Sequence, residues 1–197
     1  MPKIVDKELM SQKIVAASLQ AFVKFGFYNT SMAKIAKETG IAKGTLYLYF
    51  KSKEELINKI TDEYFDTLKK KLIPNKLFEA PDMLLFHIKK SLLVNDNDSK
   101  FIPVFFEVFG PSFSSDDFVE KYSGFFSEVA SFYKENLTYL QNKGLISKDL
   151  DPKYFGRALV SIMDGVVLHK GLFKIENTFY SRIIEEVIGL LRRDMKL

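Results

Sequence analysis

Apolar residues recur at helical spacing along almost the whole chain. Between Val15 and Val23 they fall three or four positions apart, which is the spacing of one buried helical face. The same spacing returns in residues 32–39, 43–50, 54–72, 81–94, 100–109, 116–142, 153–170 and 178–193. We find no convincing run of the strict alternation that predicts a half-buried strand. The chain is therefore predicted to be all-α, with about nine helices.

Capping residues mark where several of these helices begin. Ser52 and Glu55 form a capping box ahead of the long fourth helix. Asp151 followed by Pro152 is a strong start signal for the helix after the longest one. The polar stretch 95–99 lacks apolar periodicity, so it is predicted to be a loop.

Basic charge is concentrated at the N-terminus. Residues 1–53 contain nine lysines and three acidic residues, whereas the remaining 144 residues contain 20 basic and 22 acidic ones. A cationic module on a near-neutral body indicates a polyanionic partner, although a merely solvated surface has the same composition. The chain has no cysteine, which excludes disulfides, thiolate zinc sites and cysteine nucleophiles.

Neither end of the chain resembles a targeting segment. The N-terminus is charged, and no apolar run approaches the roughly 20 residues that a membrane helix needs. We therefore expect a cytoplasmic protein that does not bind membranes.

Two short predicted helices, 32–39 and 43–50, are joined by a tight turn that contains Gly40. This is the helix-turn-helix arrangement, in which the second helix enters the major groove of DNA. On that helix Lys43 can reach phosphate or guanine, and Thr45 can hydrogen-bond a base edge or meet a thymine methyl.

Many spaced residues around this pair carry a family resemblance. The run comprises Phe22, Phe25-Gly26-Phe27, Thr30-Ser31-Met32, Ile35-Ala36, Gly40 to Tyr47, Tyr49-Phe50 and Ser52 to Leu56. It resembles the DNA-binding segment of the TetR family of bacterial transcriptional regulators. The resemblance implies a ligand-responsive regulator, usually a repressor, that binds a palindromic double-stranded operator as a dimer.

The resemblance also implies which side chains meet DNA. Two lie at the start of the second helix, four on the recognition helix, and two form a clamp on the DNA backbone. They are Thr30, Ser31, Lys43, Gly44, Thr45, Tyr47, Tyr49 and Lys53. The family often has histidine where this chain has Leu48, so a polar contact is not expected at that position.

The module contains no arginine, because the first arginine of the chain is Arg157. Arginine is the commonest reader of guanine. Direct readout would then depend on Lys43, Thr45 and Tyr47, with a larger contribution from DNA shape. We expect modest sequence selectivity, with much of the affinity coming from phosphate contacts.

Regulators of this family pair through their last two helices, and the resemblance extends to the entry into helix 153–170. The candidate interface residues are Phe155, Leu159, Ile162, Val166, Ile184, Val187, Ile188 and Leu191. Small residues such as Gly156 and Gly165 would permit close helix approach. The alternative is that both helices belong to the intramolecular core.

Nine phenylalanines lie between residues 101 and 132. The body of a TetR-family regulator encloses a ligand cavity, and an aromatic lining suits a hydrophobic effector such as a fatty acyl compound or a planar drug. The candidate ligand-contacting residues are Phe86, Phe105, Phe109, Phe125, Phe126, Val129 and Met163. Phenylalanines at helical spacing also fill ordinary cores, so part of this aromatic set is expected to be core only.

The predicted organisation has three parts: a DNA-binding domain over 1–53, a connecting helix over 54–74, and a ligand-binding and dimerisation domain over 75–197. A ligand that tilts the connecting helix would spoil the spacing of paired recognition helices. An architectural DNA-binding protein without a ligand is the alternative.

An all-helical enzyme is a weaker alternative. The only histidines, His87 and His169, stand on separate predicted helices, and the chain has neither a P-loop nor a dinucleotide-binding glycine motif. No catalytic residue, metal site or cofactor is predicted.

Overall fold

The computed structural model describes residues 7–197, apart from the side chains of residues 97, 111 and 112. The described chain contains helices and no strand, which confirms the all-α prediction. The helices are α1 (Lys7–Phe25), α2 (Met32–Thr39), α3 (Lys43–Tyr49), α4 (Lys53–Leu72), α5 (Pro81–Leu92), α6 (Asp96–Ser99), α7 (Phe101–Phe109), α8 (Asp116–Asn142), α9 (Pro152–Leu172) and α10 (Asn177–Asp194). A 3₁₀ segment, Gly110–Ser114, joins α7 to α8.

Nine of the described α-helices have seven residues or more, as the periodicity predicts, and α6 is the tenth. The prediction of a simple loop over 95–99 was wrong. Asn95 accepts the backbone N–H of Asp98 at 2.8 Å and donates from its amide to the Asp98 carboxylate at 2.8 Å. Side-chain bonding by asparagine stabilises one helical turn here without any apolar face, so periodicity did not detect it.

The chain divides into two compact units. Unit one consists of the described residues up to Thr67 together with Pro103–Phe113, and unit two consists of Leu68–Ile102 and Ser114–Leu197. The predicted boundaries, after residues 53 and 74, do not coincide with this division. Most of α4 belongs to unit one, and so does most of α7, which the prediction placed in the C-terminal domain.

The core of unit one lies where α1, α2 and α3 meet the start of α4. Ile14, Ile35, Leu46 and Leu56 are completely buried there. Gly40 closes α2 in the left-handed conformation (φ 70°), and its N–H donates to the carbonyls of the last helical turn. A residue with a Cβ would be strained in this conformation, so glycine sets the direction in which the chain enters α3.

Unit two is built on α8 packed against α9, with α5 packed against α10. Gly156 on α9 lies so close to α8 that a Cβ there would stand 2.9 Å from the carbonyl oxygen of Ala130. The buried Asn136 side chain accepts from the N–H of Phe78 at 2.9 Å and donates to the carbonyl of Phe132 at 2.9 Å. These bonds satisfy a polar group that would otherwise destabilise the core.

Within the described part of the chain, no helix combines the length and the apolar character that crossing a bilayer requires.

Candidate functional site

The second helix of the helix-turn-helix pair, α3, has one buried face and one exposed face. Leu46 and Phe50 are buried against the rest of unit one. Lys43, Gly44 and Tyr47 are exposed. The exposed face therefore presents the ammonium group of Lys43, the side-chain-free backbone of Gly44 and the phenol of Tyr47. Together these groups can contact phosphates and base edges.

Thr45 and Tyr49 complete the predicted set on α3, and both are half-buried. Leu48, which was not predicted to bind, is the most exposed large apolar residue of this helix, with 80% of its surface accessible. Its position between Tyr47 and Tyr49 is the sequence feature that could have indicated exposure. Its apolar character argued against a polar contact with DNA.

The turn between α1 and α2 separates the two residues predicted to meet phosphate there. Ser31 is exposed and caps α2, accepting the N–H of Lys34 at 3.3 Å. Thr30 is completely buried, and its hydroxyl donates to the carbonyl of Gly26 at 2.7 Å. The Thr30 hydroxyl therefore stabilises the turn from inside.

Lys53 is also engaged within unit one. Its Nζ donates to the carbonyl of Phe27 at 2.6 Å and lies 3.7 Å from the centroid of the Phe27 ring. Burial lowers the pKa of Lys53. In this arrangement the ammonium group is bound to the turn before α2.

The same turn has a second tether, from α7. The Glu107 carboxylate accepts the N–H of Phe27 at 2.9 Å, so both polar atoms of the Phe27 backbone are bound by side chains from distant parts of the sequence. Glu107 was not predicted as functional. Because it lies 80 residues from Phe27, no local pattern could have revealed the contact.

The capping box at the start of α4 forms with one difference from the expected pattern. Ser52 accepts the N–H of Glu55 at 3.2 Å, as predicted. The Glu55 carboxylate accepts the N–H of Lys51, at 2.7 Å, instead of that of Ser52. The bond holds the short connection between α3 and α4, and so helps to fix the recognition helix.

The residues predicted to form a dimer interface fall into two groups. Leu159, Ile184, Val187 and Leu191 are buried in the core of unit two. Their own protomer therefore already covers these four residues. The other four remain accessible: Ile162 is exposed, and Phe155, Val166 and Ile188 are half-buried.

The two glycines singled out in α9 also differ in their surroundings. Gly156 serves the contact with α8 within the protomer. A Cβ at Gly165 would meet no atom within 4 Å, so nothing in its own protomer requires glycine there. The open space beside Gly165 is available to another helix.

The predicted ligand-contacting residues are divided between the two units. Phe105 and Phe109 belong to unit one, and the other five belong to unit two. Val129 and Met163 are buried in the core of unit two, whereas Phe125 and Phe126 are half-buried against it. Phe86 is 68% exposed and lines an open groove along α5.

The exposed α3 of a helix-turn-helix pair, within an all-helical chain, defines a DNA-binding regulator of transcription. The family model described as "Bacterial regulatory proteins, tetR family" matches residues 14–60, which include the whole pair. The transcriptional regulator PksA of Bacillus subtilis is 25% identical over 178 residues, which is 86% of this chain and 82% of that protein.

Two solved structures share the fold at low sequence identity. A TetR transcription regulator from Haloarcula marismortui has a TM-score of 0.79 at 16% identity, covering 95% of this chain and 98% of its own. A Saccharomonospora viridis protein solved in complex with choline has a TM-score of 0.75 at 14% identity, covering 92% and 96%. Residues 14–60 therefore match the TetR family, and the chain shares its fold with regulators of that family.

Proposed function

We propose that this regulator binds a palindromic operator as a homodimer, represses transcription in the cytoplasm, and leaves DNA when a hydrophobic small molecule binds its body. The observation that carries the proposal is the orientation of α3, which buries Leu46 and Phe50 while exposing Lys43 and Tyr47. A recognition helix held in this way can enter a major groove without losing its packing.

The proposed DNA contacts are the predicted residues whose side chains or backbone are accessible. Lys43, Gly44 and Tyr47 face the groove, with Thr45 and Tyr49 contributing their accessible edges. Ser31 keeps its place at the start of α2, where backbone amides favour phosphate. Thr30 and Lys53 act indirectly, by holding the turn from which α2 starts.

The proposed dimer uses the accessible apolar residues of α9 and α10. Ile162 and Val166 lie one turn apart on α9, and Gly165 between them leaves room for a partner helix. Phe179 and Leu190 add exposed apolar surface on α10. Two recognition helices are needed to read a palindrome, so the dimer and the DNA proposal support each other.

The proposed effector response needs two states of the protein that bind the ligand unequally. Two helices belong to both units: α4 ends at Leu72 in unit two, and α7 begins at Phe101 in unit two and carries Glu107 in unit one. These helices are the candidates for transmission. The Saccharomonospora viridis neighbour, solved with choline, supports small-molecule binding on this fold.

The test begins with selection of duplexes from random DNA, followed by fluorescence anisotropy on the selected operator. We expect Lys43→Ala to weaken operator binding by roughly tenfold, since a base or phosphate contact is typically worth about 1–3 kcal/mol. Lys134→Ala, an exposed lysine of unit two, is the matched control and should bind normally. Wild-type protein that shows no preference for any selected duplex would contradict the proposal.

The alternative, an architectural DNA-binding protein, makes a different prediction. Such a protein would bind the operator and unselected DNA with similar affinity, and no small molecule would change that affinity. A reporter gene placed behind the selected operator separates repression from activation.

A further inference from the structure

Helix α5 has a second apolar stripe that its own unit does not cover. Leu84, Leu85 and Ile88 form its buried face. Met83 and Phe86 lie outside that face and are 47% and 68% exposed. Leu93, just beyond the helix end, is 52% exposed and continues the stripe. Exposed apolar surface that is contiguous, rather than scattered, indicates a binding surface.

This stripe forms one wall of a groove with a volume of about 960 Å³, whose lining residues all lie between Lys71 and Leu93. Pro74 and Phe78 add further apolar groups to its lining. The volume lies at the upper end of the roughly 300–1,000 Å³ that small-molecule sites occupy. Because every lining residue belongs to unit two, the groove is defined by that unit alone.

The rim of the groove is cationic. Lys71, Lys76 and Lys90 line it, and its one lining carboxylate, Asp82, accepts from the Arg192 guanidinium at 2.6 Å. The acid is therefore already paired, whereas the lysines leave an excess of positive charge. An apolar trough with such a rim complements a molecule that is apolar along its length and anionic at one end.

The floor of the groove holds polar groups that can also bind. His87 and Ser91 both line it, and Ser91 is otherwise buried. Beneath them lies Tyr133, whose ring centroid is 6.2 Å from that of His87. The Tyr133 hydroxyl is buried, and it interacts with the Ser91 side chain.

We propose that this α5 groove binds a single-chain fatty carboxylate, with its chain along Met83 and Phe86 and its carboxylate among Lys71, Lys76 and Lys90. The site differs from the predicted aromatic cavity, since of the seven predicted ligand-contacting residues only Phe86 lines it. Only the effect of the ligand on DNA binding rests on the proposed function. Binding itself can be measured without DNA.

The regulatory consequence would pass through the end of α4. The His87 ring lies 3.2 Å from the carbonyl oxygen of Leu72, the last residue of that helix. A ligand that displaces His87 would disturb the end of a helix that begins in unit one.

The test is isothermal titration of the full chain with dodecanoate, below its micelle-forming concentration. We expect wild-type protein to bind it, and the double variant Lys76→Gln/Lys90→Gln to bind about tenfold more weakly, since each exposed ion pair contributes a few-fold. Phe86→Ser should also weaken binding. The control variant Lys134→Gln/Lys148→Gln removes two exposed lysines outside the groove and should bind normally. Thermal unfolding by circular dichroism checks that each variant is folded.

Several outcomes would overturn the proposal. These are no binding by wild-type protein, equal binding by the groove variants, or equal binding of dodecyltrimethylammonium, which has the same chain and the opposite charge. Binding that weakens as protein concentration rises would instead assign the groove to a second copy of the chain. If dodecanoate binds the groove but leaves operator affinity unchanged, the site stands and fatty carboxylates are excluded as the effector.

Discussion

At the scale of single residues, Leu48 is the least expected feature of the recognition helix. An exposed leucine cannot donate to a base, but it can pack against the methyl group of thymine. With no arginine in the module, such an apolar contact would supply selectivity that a guanine reader supplies elsewhere.

We therefore expect Leu48→Ala to lose a preference for thymine at one position in each half-site. Replacing that thymine by deoxyuridine, which lacks the methyl group, should weaken wild-type binding about fourfold, as expected for about 0.8 kcal/mol per buried methyl-sized group. The variant should be insensitive to the replacement. Leu145→Ala, at an exposed leucine of unit two, is the control. Equal sensitivity in Leu48→Ala would place Leu48 outside the interface.

His87 should make stability depend on pH. Burial lowers its pKa below the ordinary 6.5, and Lys76, Lys71 and Lys90 lower it further, although the bond to Leu72 opposes them. A histidine with a lowered folded pKa takes up protons more readily when unfolded, so its destabilising effect grows as pH falls through 6.5. We expect the melting temperature to fall between about pH 7.5 and about pH 5.5 by a few degrees more in wild type than in His87→Gln. Parallel curves for the two proteins would contradict this.

At the scale of elements, the two glycines of α9 provide a matched pair. A methyl group at Gly156 would overlap the α8 backbone, whereas one at Gly165 would enter open space. We expect Gly156→Ala to lower the free energy of unfolding by about 1–3 kcal/mol, the usual cost of overpacking. Gly165→Ala should be neutral or stabilising by up to about 1 kcal/mol, because alanine favours helix. Chemical denaturation of both variants, at concentrations where the protein is monomeric, measures the difference.

At the scale of the whole molecule, the proposed dimer should depend on the accessible face of α9. Ile162→Glu would place a carboxylate on that face. Dimer formation would then bury this charge without a partner, which is energetically costly. We expect the dimer dissociation constant to rise roughly 100-fold, which corresponds to about 3 kcal/mol. Analytical ultracentrifugation measures the change, and operator affinity should fall with it. Leu145→Glu is the control, and a variant Ile162→Glu that remains fully dimeric would exclude this face.

Periodicity and capping residues predicted the helices because an amphipathic helix requires only local spacing. The end of α2 follows from Gly40 and the start of α4 from Ser52, whose conformational and hydrogen-bonding preferences act over a few residues. The exposed positions of α3 were predictable for the same reason. Once Leu46 and Phe50 face inward, helical geometry turns Lys43 and Tyr47 outward.

What covers an apolar face was decided only by the tertiary structure. The sequence marks Leu159 and Ile162 alike as apolar residues of one helix, yet α9 buries the first within its protomer and exposes the second. Likewise, Thr30 matches a DNA-contact position, but its environment directs its hydroxyl to Gly26. The sequence by itself determined an all-helical chain with a helix-turn-helix module. Packing between distant segments determined which of the predicted residues remain free to bind, because burial depends on neighbours that no local pattern specifies.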